Sequence, residues 1–548
     1  MEKQSALKQT KYIFITGGVV SSLGKGVAAA SIGALLKSRG YSVHSRKFDP
    51  YLNVDPGTMS PFQHGEVYVT DDGFETDLDL GYYERFLGIK LSRDDSISGG
   101  RIFYDILTAE RRGDYLGATV QMIPHVSNKI KEYIAAPAAG APDFIISEIG
   151  GTVGDIEGEI FLESIRQFAN DVGRRNAMFV HLTLAPFIES ANELKTKPTQ
   201  MSVRRLLESG IAADMLIVRT PRLLHDDERS KIAQFCNMPA GNVISGIDMD
   251  NIYKIPLEYE RQNVASVVLG HFGLPDNGGE LSNLQKISDH LSSERPKTNI
   301  AIVGKYFNVP DAYKSLFEAL FHAGIANSIK VEIHKIDAES LENKIDDDIK
   351  KILGKMDGIL VPGGFGKRGV PGKIVAAKFA RENNVPYLGI CLGMQVAAIE
   401  FMRNVCGIKD AYSTEFSKDC VPIVSLATEW EKDGETETRT ENTEKGGTLR
   451  LGAYPTKILD KTLAQKIYKS DIISERHRHR YELNAKFADV LSKNGMQISG
   501  WSPDGRLPEI IEIPSHKFFI AGQFHPEFNS SPYYSHPLFS AFIAATKN

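Results

Sequence analysis

The sequence has little cysteine: four residues in 548, none of them in a C-x-x-C pair. This excludes a disulfide framework and a structural zinc site of the usual kind, and it indicates a reducing compartment. No run approaches the roughly 20 consecutive apolar residues that a membrane-spanning helix needs. The N-terminus has no apolar segment typical of a signal peptide. We therefore expect a cytoplasmic protein that does not associate with membranes.

An excess of charge of one sign is also absent. The net charge is −5, from 64 basic and 69 acidic residues, and no basic stretch is long enough to indicate nucleic-acid binding. With 42% apolar and 24% charged residues, the composition is typical of a globular protein. A chain of 548 residues is too long for one hydrophobic core, so two or three domains are expected.

A polar stretch at 292–298 is the best candidate for a domain junction. Strand-like and helical runs alternate on both sides of it, which is typical of parallel α/β sheets. We predict an α/β protein of two domains, each with a mainly parallel sheet flanked by helices. The predicted segments are an N-terminal extension at 1–10, a first domain at 11–291, a linker at 292–298 and a second domain at 299–548. Two charged stretches, 346–348 and 429–445, are interpreted as solvated loops.

Cys391 stands in the sequence Gly-Ile-Cys-Leu-Gly, between a short apolar run and an apolar run at helical spacing. Gly389 and Gly393 permit the sharp strand-to-helix turn that presents a nucleophile, as in Gly-x-Ser-x-Gly elbows. At the start of a helix the dipole favours a thiolate. The alternative is a cysteine buried on a core strand, which is a common environment for free cysteine.

The segment His525-Pro-Glu527 near the end of the chain supports the nucleophile interpretation. On an extended segment, residues two apart face the same side, so Glu527 could orient His525 as the general base for Cys391. Upstream, an apolar run leads into Pro-Gly-Gly-Phe-Gly at 362–366. Backbone N–H groups there and at Leu392 could form an oxyanion hole.

Together these features make the half from about Thr298 onward similar to a class I glutamine amidotransferase domain. The resemblance implies that glutamine is hydrolysed through a thioester at Cys391 and that ammonia is released for another site. It also implies residues that hold glutamine, for some of which surface ion pairing is the alternative. They are Gly364, Leu392, Gln395, Glu415, Arg478 and Arg480.

The N-terminal half contains a strand, a glycine-rich loop and a helix in the order of a P-loop, with Lys25 at the helix start. The loop is one residue longer than in G-x-x-x-x-G-K-[ST], and Gly26 replaces the Ser or Thr that binds magnesium. A plain glycine-rich turn is the alternative to nucleotide binding. Without that hydroxyl, magnesium needs other oxygen ligands. Asp79 and Glu148 offer them, but the alternative is a pair of solvated carboxylates, and spacing alone does not select these two residues.

Long motifs in this half closely resemble the CTP synthase family, and the likeness runs from about Lys11 to Lys547. Three of them are Lys-Phe-Asp-Pro-Tyr-Leu-Asn-Val-Asp-Pro-Gly-Thr-Met from Lys47, Glu-Ile-Gly-Gly-Thr-Val-Gly-Asp-Ile-Glu from Glu148 and Lys-Thr-Lys-Pro-Thr-Gln from Lys195. The resemblance implies ATP-dependent amination of UTP to CTP. Ammonia from glutamine would be delivered to a UTP intermediate that ATP has phosphorylated on uracil O4.

The same resemblance implies roles for individual residues. Those for ATP are Ser22, Leu23, Gly24, Lys25, Gly26, Lys47 and Arg219, and those for Mg²⁺ are Asp79 and Glu148. Those for UTP and CTP are Ser21, Gln121, Asp155, Glu157, Lys195, Lys197, Gln200 and Lys231. The motif at Lys195 has independent support, because Pro198 suits the first turn of a helix, whose free N–H groups attract phosphates.

Regulators and assembly are implied by the resemblance alone. They are CTP as feedback inhibitor, GTP as allosteric activator near 366–370, a homotetramer with a shared UTP site, and filaments. Pro371 stands where the family often has an acidic residue. Two other functions remain open: glutamine-dependent amidation of a different acceptor, as in a synthetase related to dethiobiotin synthetase, and a P-loop ATPase switch.

Overall fold

The computed structural model describes residues 9–60, 65–138, 140–309, 311–426, 429–432, 435–438 and 449–547. The chain divides into two compact units. The first consists of Met1–Pro56 and Asp79–Ser292, and the second of Gly57–Leu78 and Ser293–Asn548. Most of the expected N-terminal extension, residues 1–8, lies outside the described residues.

The first unit is built on a seven-stranded sheet whose strand pairs are all parallel. From one edge to the other the strands are Val243–Ile247, Met215–Thr220, Ala177–Leu184, Lys11–Gly17, Phe144–Ile149, Val43–Asp49 and Ser96–Ser98. A two-stranded ribbon joins Phe187–Ile188 to Glu193–Leu194. The central strands are buried along nearly their whole length, as expected for a parallel sheet covered on both faces.

Helices cover this sheet, and aromatic side chains such as Phe14, Phe48 and Phe161 fill the core beneath them. The helix Gly99–Arg112 shows how local sequence sets a boundary: Ser98 accepts a hydrogen bond from the Arg101 N–H at its start. The helices are Lys25–Ser38, Asp79–Leu87, Gly99–Arg112, Ser127–Ala135, Glu159–Val172, Lys197–Glu208, Asp226–Phe235, Ile255–Arg261, Val264–Phe272 and Ser282–Ser292.

The second unit is built on a nine-stranded sheet, parallel over its first five strands and antiparallel over the rest. The strands in spatial order are Lys330–Asp337, Lys297–Gly304, Gly358–Val361, Tyr387–Ile390, Phe519–Gly522, Pro508–Glu512, Gln497–Trp501, Arg450–Ile458 and Ile472–His479. Alternate residues of the strand Lys297–Gly304 enter the cores on opposite faces of the sheet.

The helices of this unit are Lys314–Asn327, Asp346–Leu353, Val370–Glu382, Leu392–Asn404, Leu463–Tyr468, Ala488–Lys493 and Pro537–Ala545. A small three-stranded sheet contains Ala411–Ser413, Val421–Leu426 and Tyr481–Leu483. Two two-stranded sheets pair Glu429–Lys432 with Glu435–Thr438 and Val67–Val69 with Glu75–Asp77.

The predicted α/β class with two domains is confirmed. Among the described helices, none has the length and apolar character that crossing a membrane requires.

Three sequence-based expectations differ from the structure. The segment Gly57–Leu78, expected within an uninterrupted first domain, belongs to the second unit. Residues 346–348 form the first turn of the helix Asp346–Leu353 rather than a loop, because acidic side chains are favourable at the positive end of a helix dipole. Residues 429–432 and 435–438 are paired strands, and the remainder of that charged stretch lies outside the described residues.

Candidate functional site

Cys391 occupies the predicted elbow between the strand Tyr387–Ile390 and the helix Leu392–Asn404. Its backbone has φ 53° and ψ −106°, a conformation that non-glycine residues rarely adopt and that is common at functional sites. The Cys391 N–H donates to the Gly522 carbonyl at 2.8 Å, which ties the turn to the neighbouring strand. The strand–turn–helix prediction is therefore confirmed.

His525 and Glu527 interact as the sequence suggested, but the segment has another shape. It is not extended: His525 precedes a 3₁₀ turn, Pro526–Asn529, because Pro526 suits the first position of a helical turn. Even so, His525 Nδ1 donates to Glu527 Oε1 at 2.7 Å. Burial lowers the pKa of His525, but the charges of Glu527 and Cys391 outweigh this and raise it to about 10.

The imidazole of His525 is held in place by close packing. Its ring is stacked on Phe528 with 5.5 Å between ring centroids. A Cβ at Gly363 would lie 2.9 Å from His525 Cε1 and 3.4 Å from Cys391 Cβ, so only glycine allows this approach. His525 Nε2 is buried and, within the described part of the chain, makes no hydrogen bond. That nitrogen is therefore available to exchange a proton with a reacting group.

A cavity of about 400 Å³ opens beside the three residues Cys391, His525 and Glu527. Gly364, Arg478 and Arg480 line it, whereas Glu415, Leu392 and Gln395 do not. Glu415 instead accepts a hydrogen bond from the Gly366 N–H at 3.0 Å, and burial raises the pKa of this carboxyl. The structure thus brings three of the six glutamine-binding candidates to the cavity wall.

The segment Gly57–Leu78 completes the cavity, a contribution that sequence reasoning missed. Gly57, Met59 and Glu66 are among its lining residues. Arg478, also in the lining, donates from Nε to Glu75 Oε1 at 2.8 Å. Because these residues are hundreds of positions apart in the sequence, no local pattern could have indicated the contact.

Two buried lysines of the second unit donate hydrogen bonds to backbone carbonyls of the loop 362–366. Sequence reasoning did not identify either lysine. Lys373 Nζ donates to the Pro362 carbonyl at 2.7 Å, and Lys305 Nζ donates to the Gly366 carbonyl at 2.8 Å. Burial lowers the pKa of Lys373 to about 7 and that of Lys305 to about 8. Isolated lysines carry no sequence signal for such a role.

In the first unit the glycine-rich loop leads into the helix Lys25–Ser38, whose first N–H groups have no side-chain cap. Gly24 has a left-handed φ of 87° at this junction. Lys25 Nζ donates to the Gly151 carbonyl at 2.5 Å, and burial lowers the pKa of Lys25. Arg219 lies over the loop, with one guanidinium nitrogen 3.3 Å from the position that a Gly24 Cβ would take. The geometry suits a bound phosphate chain.

The ammonium group of Lys47 forms ion pairs with both predicted magnesium ligands, Asp79 and Glu148. Its Nζ lies 2.9 Å from Asp79 Oδ2, 3.2 Å from Glu148 Oε1 and 3.1 Å from Asp49 Oδ1. Burial opposes the charge of Lys47, yet the three carboxylates raise its pKa well above the ordinary value. Burial also raises the pKa of Glu148, which accepts a hydrogen bond from the Tyr83 hydroxyl.

Gly26 explains why the usual Ser or Thr is absent. A Cβ there would lie 2.3 Å from Asp79 Oδ1 and 3.3 Å from Glu148 Oε2, so the carboxylates occupy the space of a side chain. Carboxylate oxygens are the ligands that Mg²⁺ prefers, and these two converge at the start of the helix Lys25–Ser38. The residues fit that ion, although the described residues include no cluster of three or more His, Cys, Asp or Glu suited to a metal.

The candidates for UTP lie on several elements of the first unit. Lys197 begins the helix Lys197–Glu208, with Pro198 in its first turn as predicted. The pKa of Glu193 is lowered, chiefly by a hydrogen bond from Lys195 and to a smaller extent by the charge of Lys231. Gln200 donates to the Thr196 hydroxyl at 3.1 Å.

The remaining candidates of this group are more exposed. Asp155 accepts from the Thr152 N–H at 3.1 Å, and Glu157 lies in the adjacent turn Ile156–Gly158. The Gln121 N–H donates to His125 Nδ1 at 3.0 Å. No hydrogen bond or ion pair within the described residues joins Gln121, Ser21 or Lys231 to another candidate.

Comparisons with known proteins cover both halves of the chain. Residues 11–274 match the family model "CTP synthase N-terminus", and residues 308–545 match "Glutamine amidotransferase class-I". CTP synthase of Zymomonas mobilis is 56% identical over 536 residues, covering 98% of each sequence. CTP synthase of Azospirillum brasilense is 55% identical over 540 residues, again with 98% of each covered.

Among solved structures, the glutaminase domain of Trypanosoma brucei CTPS with bound acivicin is similar. It is 42% identical, covers 45% of this chain and 93% of its own, and superposes with a TM-score of 0.41. With relatives more than half identical over nearly the full length of both sequences, and with family models matching both halves, the chain belongs to the CTP synthase family.

Proposed function

We propose that the two sites perform the two half-reactions of one enzyme, with the residues assembled at each site in the roles given below. The chain is a C–N bond-forming ligase that aminates UTP to CTP with ATP and takes the nitrogen from glutamine. The observation that carries the assignment of roles is the pairing of Cys391 with His525 and Glu527 beside one cavity. Matches along both halves disfavour a different acceptor, and an ATPase switch needs no glutaminase half.

In the glutaminase half, Cys391 Sγ attacks the side-chain amide carbon of glutamine. The tetrahedral oxygen is stabilised by the N–H groups of Gly364 and Leu392. The protonated His525, held by Glu527, gives its Nε2 proton to the departing ammonia. Water then hydrolyses the thioester, so one glutamine and one water yield glutamate and ammonia. Arg478 and Arg480, which both line the cavity, hold the amino-acid end of the substrate.

In the synthetase half, ATP lies along the glycine-rich loop, with Ser22, Leu23, Gly24 and Gly26 close to its phosphates and Arg219 against the base. Lys25 and Lys47 stabilise the charge that develops as the γ-phosphoryl group moves to uracil O4. Asp79 and Glu148 would hold Mg²⁺, which supplies further charge neutralisation on the phosphates. Ammonia then displaces the phosphate at C4 and gives CTP.

The acceptor nucleotide is assigned to the lysine-rich helix start and its surroundings. Lys195, Lys197 and Lys231 offer positive charge to the triphosphate, and the first turn of the helix Lys197–Glu208 offers free N–H groups. Ser21, Gln121 and Gln200 are hydrogen-bonding partners for the same ligand. Asp155 and Glu157 lie where CTP would act as feedback inhibitor.

Assembly and regulation extend the proposal. Exposed apolar side chains in the first unit support self-association, which we assign to a homotetramer that can stack into filaments. These side chains are Tyr104, Leu107, Leu116, Met122 and Ile156.

GTP would activate the glutaminase near Arg368, which donates to the Lys305 carbonyl at 2.7 Å. Pro371 lies in the first turn of the helix Val370–Glu382 and offers no side-chain contact to a polar ligand. The unpaired cysteines agree with a cytoplasmic location.

The test is CTP formation from UTP, ATP and magnesium, with either glutamine or an ammonium salt, for the wild type and Cys391→Ala. The variant should lose only the glutamine-driven reaction. If the wild type makes CTP from neither nitrogen source, the nucleotide roles are wrong. If Cys391→Ala still uses glutamine, the nucleophile is another residue.

A further inference from the structure

A buried pair of amide side chains lies behind the nucleophile. Gln523 and Gln395 are 0% and 3% exposed, and Cys391 is 6% exposed. Gln523 Nε2 lies 3.7 Å from Cys391 Sγ, within hydrogen-bonding distance for sulfur. Neither amide lines the cavity beside Cys391. The NH₂ group of Gln395, which the sequence predicts to hold glutamine, is hydrogen-bonded to other protein groups.

The direction of each amide follows from its partners. The Tyr481 carbonyl can only accept, and Gln395 Nε2 lies 2.7 Å from it, so Gln395 places its NH₂ group there. The same NH₂ group donates its second hydrogen to Gln523 Oε1 at 3.2 Å. With its oxygen engaged, Gln523 must turn its own NH₂ group toward Cys391. A reversed amide would set two NH₂ groups against each other and an oxygen against the sulfur.

We propose that Gln523 is a catalytic residue that donates a hydrogen bond to Cys391 Sγ, and that Gln395 is a positioning residue that orients it. The proposal rests on the glutaminase role of Cys391 given above. A thiolate is a better acceptor than a thiol, so the bond stabilises the nucleophilic form and holds the sulfur in one direction. Gln523 Nε2 lies close enough to the sulfur to be this donor.

The backbone makes this contact stiff. Gln523 directly follows the strand Phe519–Gly522, and its N–H donates to the Glu509 carbonyl at 2.9 Å on the adjacent strand. Gln395 lies in the first turn of the helix that Cys391 begins. The strand Phe519–Gly522 therefore fixes the backbone of Gln523, and the helix Leu392–Asn404 fixes the backbone of Gln395.

The experiment compares Gln523→Met, Gln523→Glu and Gln395→Met with the wild type and with Gln497→Met. Gln497 lies on the strand Gln497–Trp501 of the same sheet and is a matched control outside the site. Two rates are measured: glutamine hydrolysis, and alkylation of Cys391 by iodoacetamide followed by peptide mass spectrometry. Alkylation depends on the thiolate but needs neither glutamine nor an oxyanion hole. Ammonia-driven CTP formation and circular dichroism report folding.

We expect both Gln523 variants to lower kcat for glutamine about 10–100-fold, with KM within threefold, since hydrogen bonds to charged groups have this strength. Alkylation of Cys391 should slow by a similar factor, and its pH profile should move to higher pH. Gln395→Met should have a smaller effect of the same kind. Gln497→Met should match the wild type.

The proposal is overturned if folded Gln523 variants alkylate at the wild-type rate, or if only KM for glutamine rises. If Gln523→Met does not fold, the nearly isosteric Gln523→Glu decides. A wild-type protein that is alkylated at Cys391 but does not hydrolyse glutamine would contradict the glutaminase role. The alkylation comparison would still test the contact between Gln523 and the sulfur.

Discussion

The Nζ atom of Lys47 lies 3.2 Å from Oε1 of Glu148, at the start of the helix that follows the glycine-rich loop. Lys47 comes from one strand of the parallel sheet and Glu148 from the neighbouring strand, where the two residues are paired in register. The carboxyl ends of parallel strands thus deliver a cation and an anion to the same point. A phosphoryl-transfer site needs both: a positive group for the phosphates and oxygen ligands for a metal ion.

Replacing Glu148 by Gln should abolish CTP formation from either nitrogen source. The amide removes a negative charge beside Lys47 and a strong ligand for Mg²⁺, and we expect a loss of at least about 100-fold, comparable to removing a group that stabilises a transition state. Basal glutamate release should persist, because the glutaminase lies in the other unit. Measuring CTP and glutamate in the same samples separates the two activities.

The matched control is Glu163→Gln, on the helix Glu159–Val172, where Glu163 pairs with Arg166 on the surface. It should leave both activities unchanged. CTP formation by Glu148→Gln at the wild-type rate with ammonium would remove this carboxylate from the synthetase site.

Gly26→Ala should inactivate the synthetase half without unfolding the protein. The added Cβ would lie 2.3 Å from Asp79 Oδ1, so the carboxylate must move away from the helix start. Gly270→Ala, in the helix Val264–Phe272 with no atom within 4 Å of its new Cβ, is the control and should stabilise that helix by about 0.5–1 kcal/mol. Thermal melting and ammonia-driven CTP formation measure the two effects. An active Gly26→Ala protein would show that the carboxylates need not approach this closely.

Glu527→Gln tests the pH dependence of the glutaminase. Burial lowers the pKa of His525, while Glu527 and Cys391 raise it to about 10, so the wild-type imidazole keeps its proton through neutral pH. Activity should fall as the pH rises through about 10, because His525 then has no proton for the departing ammonia. Without the carboxylate charge the pKa of His525 must fall, which should move this alkaline limb down by about 1–3 units.

The measurement is kcat/KM for glutamine between pH 6 and 11. The same profile for Glu332→Gln, an exposed carboxylate of the second unit paired with Lys297, should follow the wild type. An alkaline limb that stays in place in Glu527→Gln would mean that another group sets it.

Local patterns were sufficient to predict the elements that carry the chemistry. The turn at Cys391 and the helix start at Lys25 are each specified within about ten residues, by an apolar strand, glycines at the turn and an apolar helix. The same reasoning predicts an extended segment at His525, which is wrong because Pro526 begins a 3₁₀ turn there.

Contacts between distant parts of the chain could not be predicted in this way. Gln523 is an unremarkable polar residue in the sequence, and only the fold shows that it faces Cys391. The segment Gly57–Leu78 is similar: its strand Val67–Val69 is too short to signal its packing partners, and its place in the second unit depends on residues hundreds of positions away. Such information resides in the tertiary structure.

Glu75→Gln tests whether that segment helps to bind glutamine. Glu75 is 3% exposed and accepts a hydrogen bond from Arg478, which lines the cavity and lies over the Phe365 ring with its guanidinium carbon 5.1 Å from the ring centroid. Gln keeps the shape but removes the charge that holds Arg478, so we expect KM for glutamine to rise about 10-fold, equivalent to 1.4 kcal/mol. CTP formation with ammonium should not change, because that nitrogen source bypasses the cavity. An unchanged KM for glutamine in this variant would show that the charge of Glu75 is not needed to position Arg478. An equal loss of CTP formation with ammonium would mean that Glu75 affects the synthetase half as well.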